Sequence, residues 1–567
     1  MLLGRTEKEW EEFKKHKNVH NKIKEKNVKS VSSNDTEDFL SKAKKYQDDH
    51  TFVISENGSI GYATSGKALL DLNFKVSSLR AYGTEEDIRI EFNKAYAENP
   101  LLSIKWLFFA GDIRGGMGER KIFKICFNEL CYLNPEVATL LIEYVPEYNR
   151  WDSLLYKIDT NPLESKIISV LLQQLNKDLK DMEKGENISL LSKWMPSINT
   201  SSKESVRLAY YLCSKFRCTP KEYRQTLSKL RKYLDVVEVK TSSNKWSSIN
   251  YNTVPSKANL KYKNAFMKHD EYRRNEYLSS LNNGEENVKI NAGTLYPHDI
   301  ILKYRSRENH SYWYDITIKE DIAEDIALEN LWKNLKDYGE LNNVIVVRDG
   351  SASMLSEIDR KSELTAADVC DGLTLYYAER CKGSFKNKFI TFSRSPRIID
   401  LSNFDKLYQK LNYLSKFSEC ENTNIEGVFD LILNTAVENN MKQEDIPSIL
   451  IISDMEFDYC TEGYVSFDEA LSGVTLHSDL GSDFEEYKNK FKEHGYKLPM
   501  ITMWNVAERS KSIPIRDNEL GVHLVSGFSP AITRLVLSGK VDPYDALVET
   551  LNVERYRVIE EIFKSTI

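Results

Sequence analysis

From about residue 66 to residue 340 apolar side chains recur every three or four positions, and after Gly339 they gather into short β-rich runs. The first pattern, in EEDIRIEFNKAYAEN, PLLSIKWLFFAGDI, ERKIFKICFNELCYL, PEVATLLIEYV, ESVRLAYYLCSKF and EDIAEDIALENLWKNLKDYG, is that of amphipathic helices with short connectors. Successive pairs of such helices predict a stacked, solenoid-like array; no repeat of fixed length stands out, so a plain helical bundle stays open. The second pattern, LNNVIVVRD, FKNKFITFSR, SILIISDMEF, KLPMITMWNV and GVHLVSGF, predicts strands. Helical stretches such as LTAADVCDGLTLYYAERC and NIEGVFDLILNTAVENNM separate them, so the expected architecture is an open, largely parallel, Rossmann-like α/β sheet. Ahead of both, TFVISENGSIGYATS alternates around Asn57-Gly58 and predicts a hairpin. Residues 1–50 are rich in charge and are expected to be helical or mobile. The chain therefore reads as a polar segment (1–50), a helical domain with a short hairpin (51–338) and an α/β domain (339–567).

Composition adds little to this division. Apolar residues make up 41% of the 567 residues, enough for sizeable cores, and a net charge of −7 does not suggest a nucleic-acid binder, so that case must rest on local clusters. Eight cysteines include no C-x-x-C pair; the pairs Cys126/Cys131 and Cys213/Cys218 lie in helical patterns without histidines, which points to buried free thiols in a reducing compartment. The amino terminus lacks the apolar core of a signal peptide, and no run of about 18 apolar residues occurs, so a soluble, cytoplasmic protein is expected.

The chemistry concentrates where the first strand of the α/β half ends. VIVVRDGSASM stops an apolar run at Asp349 and places Ser351 and Ser353 two and four residues on. In open α/β sheets ligands bind beyond the carboxyl ends of the strands, where this turn lies. One carboxylate and two hydroxyls are hard oxygen donors suited to Mg²⁺ or Mn²⁺. Thr423, in ENTNIEG, and Asp454, closing SILIISD, supply two more oxygens at the same end. The plainer alternative is a turn at Asp349-Gly350 with a serine N-cap. A third reading takes Asp454, Glu456 and Asp458 of SDMEFD as the carboxylates of a metal-dependent nuclease. The hydroxyls, the lack of a nearby histidine and the absence of G-x-S-x-G favour binding over catalysis.

Two features of the helical half concern anions. GDIRGGMGERK combines Gly115, Gly116 and Gly118 with Arg114, Arg120 and Lys121, so its amides and cations could cradle a phosphate; a glycine-capped corner between helices reads equally well. From Lys215 to Arg274, 15 Lys and Arg stand against 5 Asp and Glu, a local excess of +10. Phe216, Tyr223, Tyr233, Trp246, Tyr251, Tyr262, Phe266 and Tyr272 are interleaved with them. Lys257, Lys261, Lys263, Lys268, Arg273 and Arg274, with Tyr262, are the candidates for phosphate contact and base stacking, as in readers of single-stranded RNA; a solvated helical face is the alternative.

Taken together, ENGSIGYATSGKALLDLNF, LFFAGDIRGGMGERKIF, YVPEYNRWDSLL, LSKWMPS, VPSKANLKYKNAFMKHDEYRRNEY and INAGTLYPHDI resemble the TROVE domain of the Ro-like ring-shaped RNA-binding proteins. The likeness is greatest to phage, viral and plant relatives described as a domain of unknown function. RDGSASM, IISDMEFD, MWNVAER and LVSGFSP extend it to about residue 550, and D-x-S-x-S with a distant Thr and Asp resembles the metal-ion-dependent adhesion site of von Willebrand factor A domains. The resemblance implies a ring of HEAT-like helical repeats closed by an A domain. It implies a non-enzymatic ribonucleoprotein scaffold, expected to be a monomer off the membrane, that binds small noncoding RNA and the single-stranded ends of misfolded RNA. It also implies Mg²⁺ at Asp349, Ser351, Ser353, Thr423 and Asp454, where an acidic protein partner could be captured.

Overall fold

A computed structural model describes residues 64–305, 323–339, 341–358, 363–417, 424–455, 480–507, 522–532 and 542–566, together with the short strands β1 (Phe52–Ile54) and β2 (Ile60–Tyr62). The expectation for residues 1–50 lies outside the described residues, as do Thr423, Glu456 and Asp458. The chain divides into two compact units, Met1–Phe52 and Val53–Ile567, and the second holds all the described helices and the large sheet.

Helices begin where short polar residues can accept the first free amides. Thr84 and Thr219 form capping boxes with Asp87 and Glu222, and Asn99 accepts from the Leu102 amide just before Pro100 at the first helical position. Each such cap stabilises its helix by about 1 kcal/mol. The resulting run of helices from Ala68–Phe74 to Ile326–Lys333 fills the expected helical half. β1 and β2 pair as a two-stranded sheet.

The C-terminal half is a six-stranded sheet in the order β5-β4-β3-β6-β7-β8, made of β3 (Val344–Asp349), β4 (Lys388–Phe392), β5 (Ile398–Asp400), β6 (Ser448–Ser453), β7 (Ile501–Asn505) and β8 (Val522–Ser526). All neighbours are parallel except the β4–β5 edge pair. Counted from β3, this is the doubly wound order 3-2-1-4-5-6, whose direction reverses between β3 and β6. β3 is buried along its whole length, as a strand covered on both faces must be. Ile345, Val347, Ile449, Ile451, Ile501 and Met503 point to a layer formed by the helices Ile425–Glu438 and Leu480–Glu493. Val346, Leu450, Ile452, Trp504 and Val525 point the other way, into a core that runs without a break into the helical half.

Helix Ala366–Arg380 mediates that continuity. It packs against β3 on one side and against helix Pro297–Tyr304 on the other, and Gly372 permits the close approach: a Cβ there would stand 2.7 Å from the His298 amide nitrogen. The last two helices, Pro543–Leu551 and Arg557–Ser565, return to the helical half and pack on helix Pro100–Gly111. Lys105, 1% exposed, pairs there with Glu560 at 2.5 Å, and Arg555 pairs with the fully buried Asp112. All six described cysteines are free and five are buried. Among the described residues no helix is long and apolar enough to cross a membrane.

Candidate metal site and basic face

Asp349 ends β3, and Asp454 follows directly on β6. The parallel register sets Arg348 beside Ile452, so Asp349 lies against Ser453 with Asp454 one residue beyond. The two carboxylates thus stand at the carboxyl ends of the strands between which the sheet reverses direction, the crevice where such sheets bind ligands. Each is 1% exposed. Asp349 Oδ1 accepts from the Ser351 amide at 2.9 Å and Oδ2 from the Ser453 hydroxyl at 2.5 Å. The Ser351 and Ser353 hydroxyl oxygens are 3.0 Å apart. Burial pushes the Asp349 carboxyl above its ordinary range against the pull of these hydrogen bonds, so its charged form lacks sufficient compensation from the protein alone.

That observation fits a cation. Four of the five expected oxygens are described, two on one loop and two at adjacent strand ends, and they are hard donors. Among the described residues no group of three or more His, Cys, Asp or Glu side chains is arranged to hold a metal, so any site here depends on its hydroxyls. Ser453 was not among the residues expected to matter: its hydroxyl holds Asp349 and accepts from the Met455 amide at 2.9 Å. Met455 itself adopts φ 61°, a left-handed conformation unusual for a non-glycine residue and often stored beside functional groups. The N-cap alternative fails for the serines, because the short 3₁₀ turn Ala352–Leu355 that follows Ser351 has no side-chain cap.

Behind the loop, charge is balanced within the protein. Arg348 Nε donates to Asp371 at 2.6 Å; Arg305, at the end of helix Pro297–Tyr304, donates to Asp368 at 2.7 Å and also pairs with Asp371. Burial alone would raise Asp371, but Arg348 and Arg305 hold its carboxyl below the ordinary range. This set links the loop bearing Asp349 to the helical half.

The candidate phosphate-binding residues meet varied fates. Arg274 is fully buried: its guanidinium lies 4.9 Å from the Tyr251 ring, 5.3 Å from Phe266 and 5.2 Å from Tyr277, and burial lowers its pKa. It is a core residue and cannot touch a surface phosphate. Arg273 is tied to Asp270 at 2.8 Å and to the Ile249 carbonyl at 2.8 Å. Lys257 pairs with Asp299 and Lys263 with Asp325. Lys261 is exposed beside the Tyr262 ring, and Lys268 is exposed. Tyr262 is half-buried against Phe266. Of the interleaved aromatics, Tyr223, Tyr251 and Phe266 are core, whereas Tyr272 is 80% exposed and Trp246 stacks on His269 at 4.5 Å.

The glycine loop is a packed corner. Gly116 is required because a Cβ would lie 1.9 Å from the Phe109 carbonyl oxygen. Its amide and those of Ile113, Arg114, Met117 and Glu119 already donate within the protein, so they are not free to cradle an anion. Lys121 donates to the carbonyls of Leu79, Arg80 and Gly83 at 3.4, 3.2 and 2.8 Å, closing the carboxyl end of helix Val76–Ala81. Arg114 is exposed and donates to the Glu147 carbonyl at 3.2 Å; Arg120 is exposed on the first turn of helix Arg120–Leu133.

Comparison with known proteins divides the chain at the same change of pattern. Residues 159–341 match the family described as Domain of unknown function (DUF2828), and residues 343–561 match the Domain of unknown function (DUF7788). Uncharacterized protein L728 of Acanthamoeba polyphaga mimivirus is 28% identical over 542 residues, 88% of this chain and 87% of that protein. The crystal structure of the Deinococcus radiodurans RO (RSR) protein superposes with a TM-score of 0.41 at 11% identity, covering 85% of this chain and 99% of that one.

Proposed function

We propose that the protein is a non-enzymatic RNA-binding scaffold whose helical half attracts single-stranded RNA through phosphate charge and whose sheet holds Mg²⁺ or Mn²⁺. The observation that carries the RNA reading is the exposure of the basic stretch. Ten of its fifteen cations, Lys215, Arg217, Lys221, Arg224, Lys229, Lys232, Lys245, Lys257, Lys261 and Lys268, are exposed. Lys215, Lys229 and Lys257 pair with Glu164, Glu183 and Asp299, and the other seven make no ion pair among the described residues and can neutralise phosphates; Tyr272 stands beside them for stacking. The motifs shared with Ro-like proteins give the same direction and extend it to small noncoding RNA and single-stranded ends.

In the sheet, Asp349, Ser351, Ser353 and Asp454, with Thr423 as the fifth oxygen, would hold the cation. Only two of these ligands carry charge, so they neutralise a bound dication without an excess of negative charge, and five protein oxygens leave one of six octahedral positions for a further acidic oxygen. This supports a second reading, in which the metal captures a carboxylate of a protein partner. Nuclease activity has less support, since the site offers hydroxyls where a third carboxylate would be needed.

The test is binding of labelled single-stranded RNA by the full chain and by Lys245→Glu/Lys261→Glu/Lys268→Glu, three exposed sites without ion-pair partners among the described residues. Weaker binding of every sequence alike supports the reading. Unchanged affinity reduces the stretch to a solvated face.

A further inference from the structure

Outside the basic stretch, three cations gather around one carboxylate. Lys124 Nζ and Arg150 Nη2 both donate to Asp152 Oδ2, at 3.0 and 2.7 Å. Asp152 Oδ1 and Arg150 Nε are buried without a hydrogen-bond partner among the described residues. The Arg150 guanidinium lies 4.0 Å over the Trp194 ring. Trp194 is in turn held by a fixed loop: Arg231 donates to the Ser192 carbonyl at 2.7 Å, the Ser197 hydroxyl at 2.9 Å and the Met195 carbonyl at 2.7 Å. Arg120 stands one helical turn before Lys124, hence on the same helix face, and makes no hydrogen bond or ion pair among the described residues. Partial burial and then the Arg150 charge lower its pKa, and the opposing pull of Tyr296, Asp152 and Asp299 does not offset them.

Arg120, Lys124 and Arg150 against Asp152 leave an excess of two positive charges on a fixed framework. We propose that this cluster binds a phosphate monoester, either free phosphate or the terminal phosphate of an RNA strand. A monoester carries about −1.5 to −2 at neutral pH, matching that excess, whereas an internal phosphodiester carries only one charge. Guanidinium forks suit tetrahedral phosphate oxygens, and the indole beneath Arg150 keeps water from one side. The RNA form of the proposal rests on the function proposed above; the free-phosphate form does not.

The experiment uses the full chain and one oligoribonucleotide in three forms, 5′-phosphorylated, 3′-phosphorylated and with hydroxyls at both ends, alongside calorimetric titration with inorganic phosphate. Arg120→Gln is the probe because Arg120 is exposed and its removal strands no ion-pair partner among the described residues. The wild type should prefer one phosphorylated end by about tenfold, the strength of one charge-assisted hydrogen bond, and Arg120→Gln should lose that preference while keeping its affinity for the hydroxyl form. Phosphate binding that is lost in Arg120→Gln, in a protein that binds no RNA, would support the site and refute the RNA function. Equal binding of all three RNA forms with no heat from phosphate, or a preference that survives in Arg120→Gln, would overturn the proposal.

Discussion

Asp349→Asn offers a direct test of the cation site, because the structure fixes the sign of its effect. Burial raises the folded-state pKa of Asp349 above the ordinary value of 3.8. A raised carboxyl contributes stability that is complete below the unfolded pKa and is lost as pH rises through the folded one. Above that raised pKa the metal-free protein carries an unfavourable buried charge, and there Asp349→Asn should be at least as stable as the wild type. A bound dication reverses this by stabilising the ionised form. With Mg²⁺ at about 100 times its dissociation constant the gain is about 2.7 kcal/mol. For a cooperative unit the size of the sheet half, about 150–250 residues, that corresponds to a rise in Tm of about 5–10 °C; if the whole chain melts together the rise is about 2–4 °C. Thermal scans with and without Mg²⁺ should show this increment in the wild type, and it should shrink as pH falls through the raised pKa because protons compete for the carboxylate. Asp349→Asn and Asp454→Asn should abolish it. An equal increment in both variants, or none in the wild type, would refute the reasoning.

Other outcomes follow from the same contacts. Asp371→Asn leaves Arg348 and Arg305 without their shared carboxylate and should cost about 3–5 kcal/mol in denaturant unfolding. Lys105→Ala leaves Glu560 its pair with Lys564 but removes the buried amine that donates to Asn552 and opens the seat of the last helix, and should cost about 2–5 kcal/mol, read as a lowered Tm. Lys263→Glu should lower Tm while changing RNA binding less than Lys268→Glu, because Lys263 already pairs with Asp325, which caps helix Ile326–Lys333. Tyr272→Ala should weaken single-strand binding by about 1–3 kcal/mol without altering its salt dependence, measured by fluorescence anisotropy.

The strands β3 and β6 were legible because a strand buried on both faces must be a continuous apolar run, and the acid that ends each run marks the carboxyl edge of the sheet. The edge strand β5 was not, since Ile399 is its only buried residue and three residues carry no pattern. Asp349, Ser351 and Ser353 could be located by spacing alone. Ser453 could not, because its role arises from parallel register with a strand about a hundred residues away. The basic stretch was legible as charge but not as surface: Arg274 is enclosed by three rings, and Lys263 finds its carboxylate 62 residues on. At the glycine loop the sequence left a cradle and a helix corner equally open, and the close approach of Gly116 to Phe109 decides for the corner.

The most direct measurement for the central claim is the affinity of the full chain for a single-stranded RNA across a salt series. Binding through several of the exposed cations between Lys215 and Lys268 predicts that log affinity falls linearly with log salt, by about 0.7 per neutralised phosphate, or about 2 to 4 in all for three to five contacts. No detectable binding at low salt, or an affinity independent of salt, would contradict it.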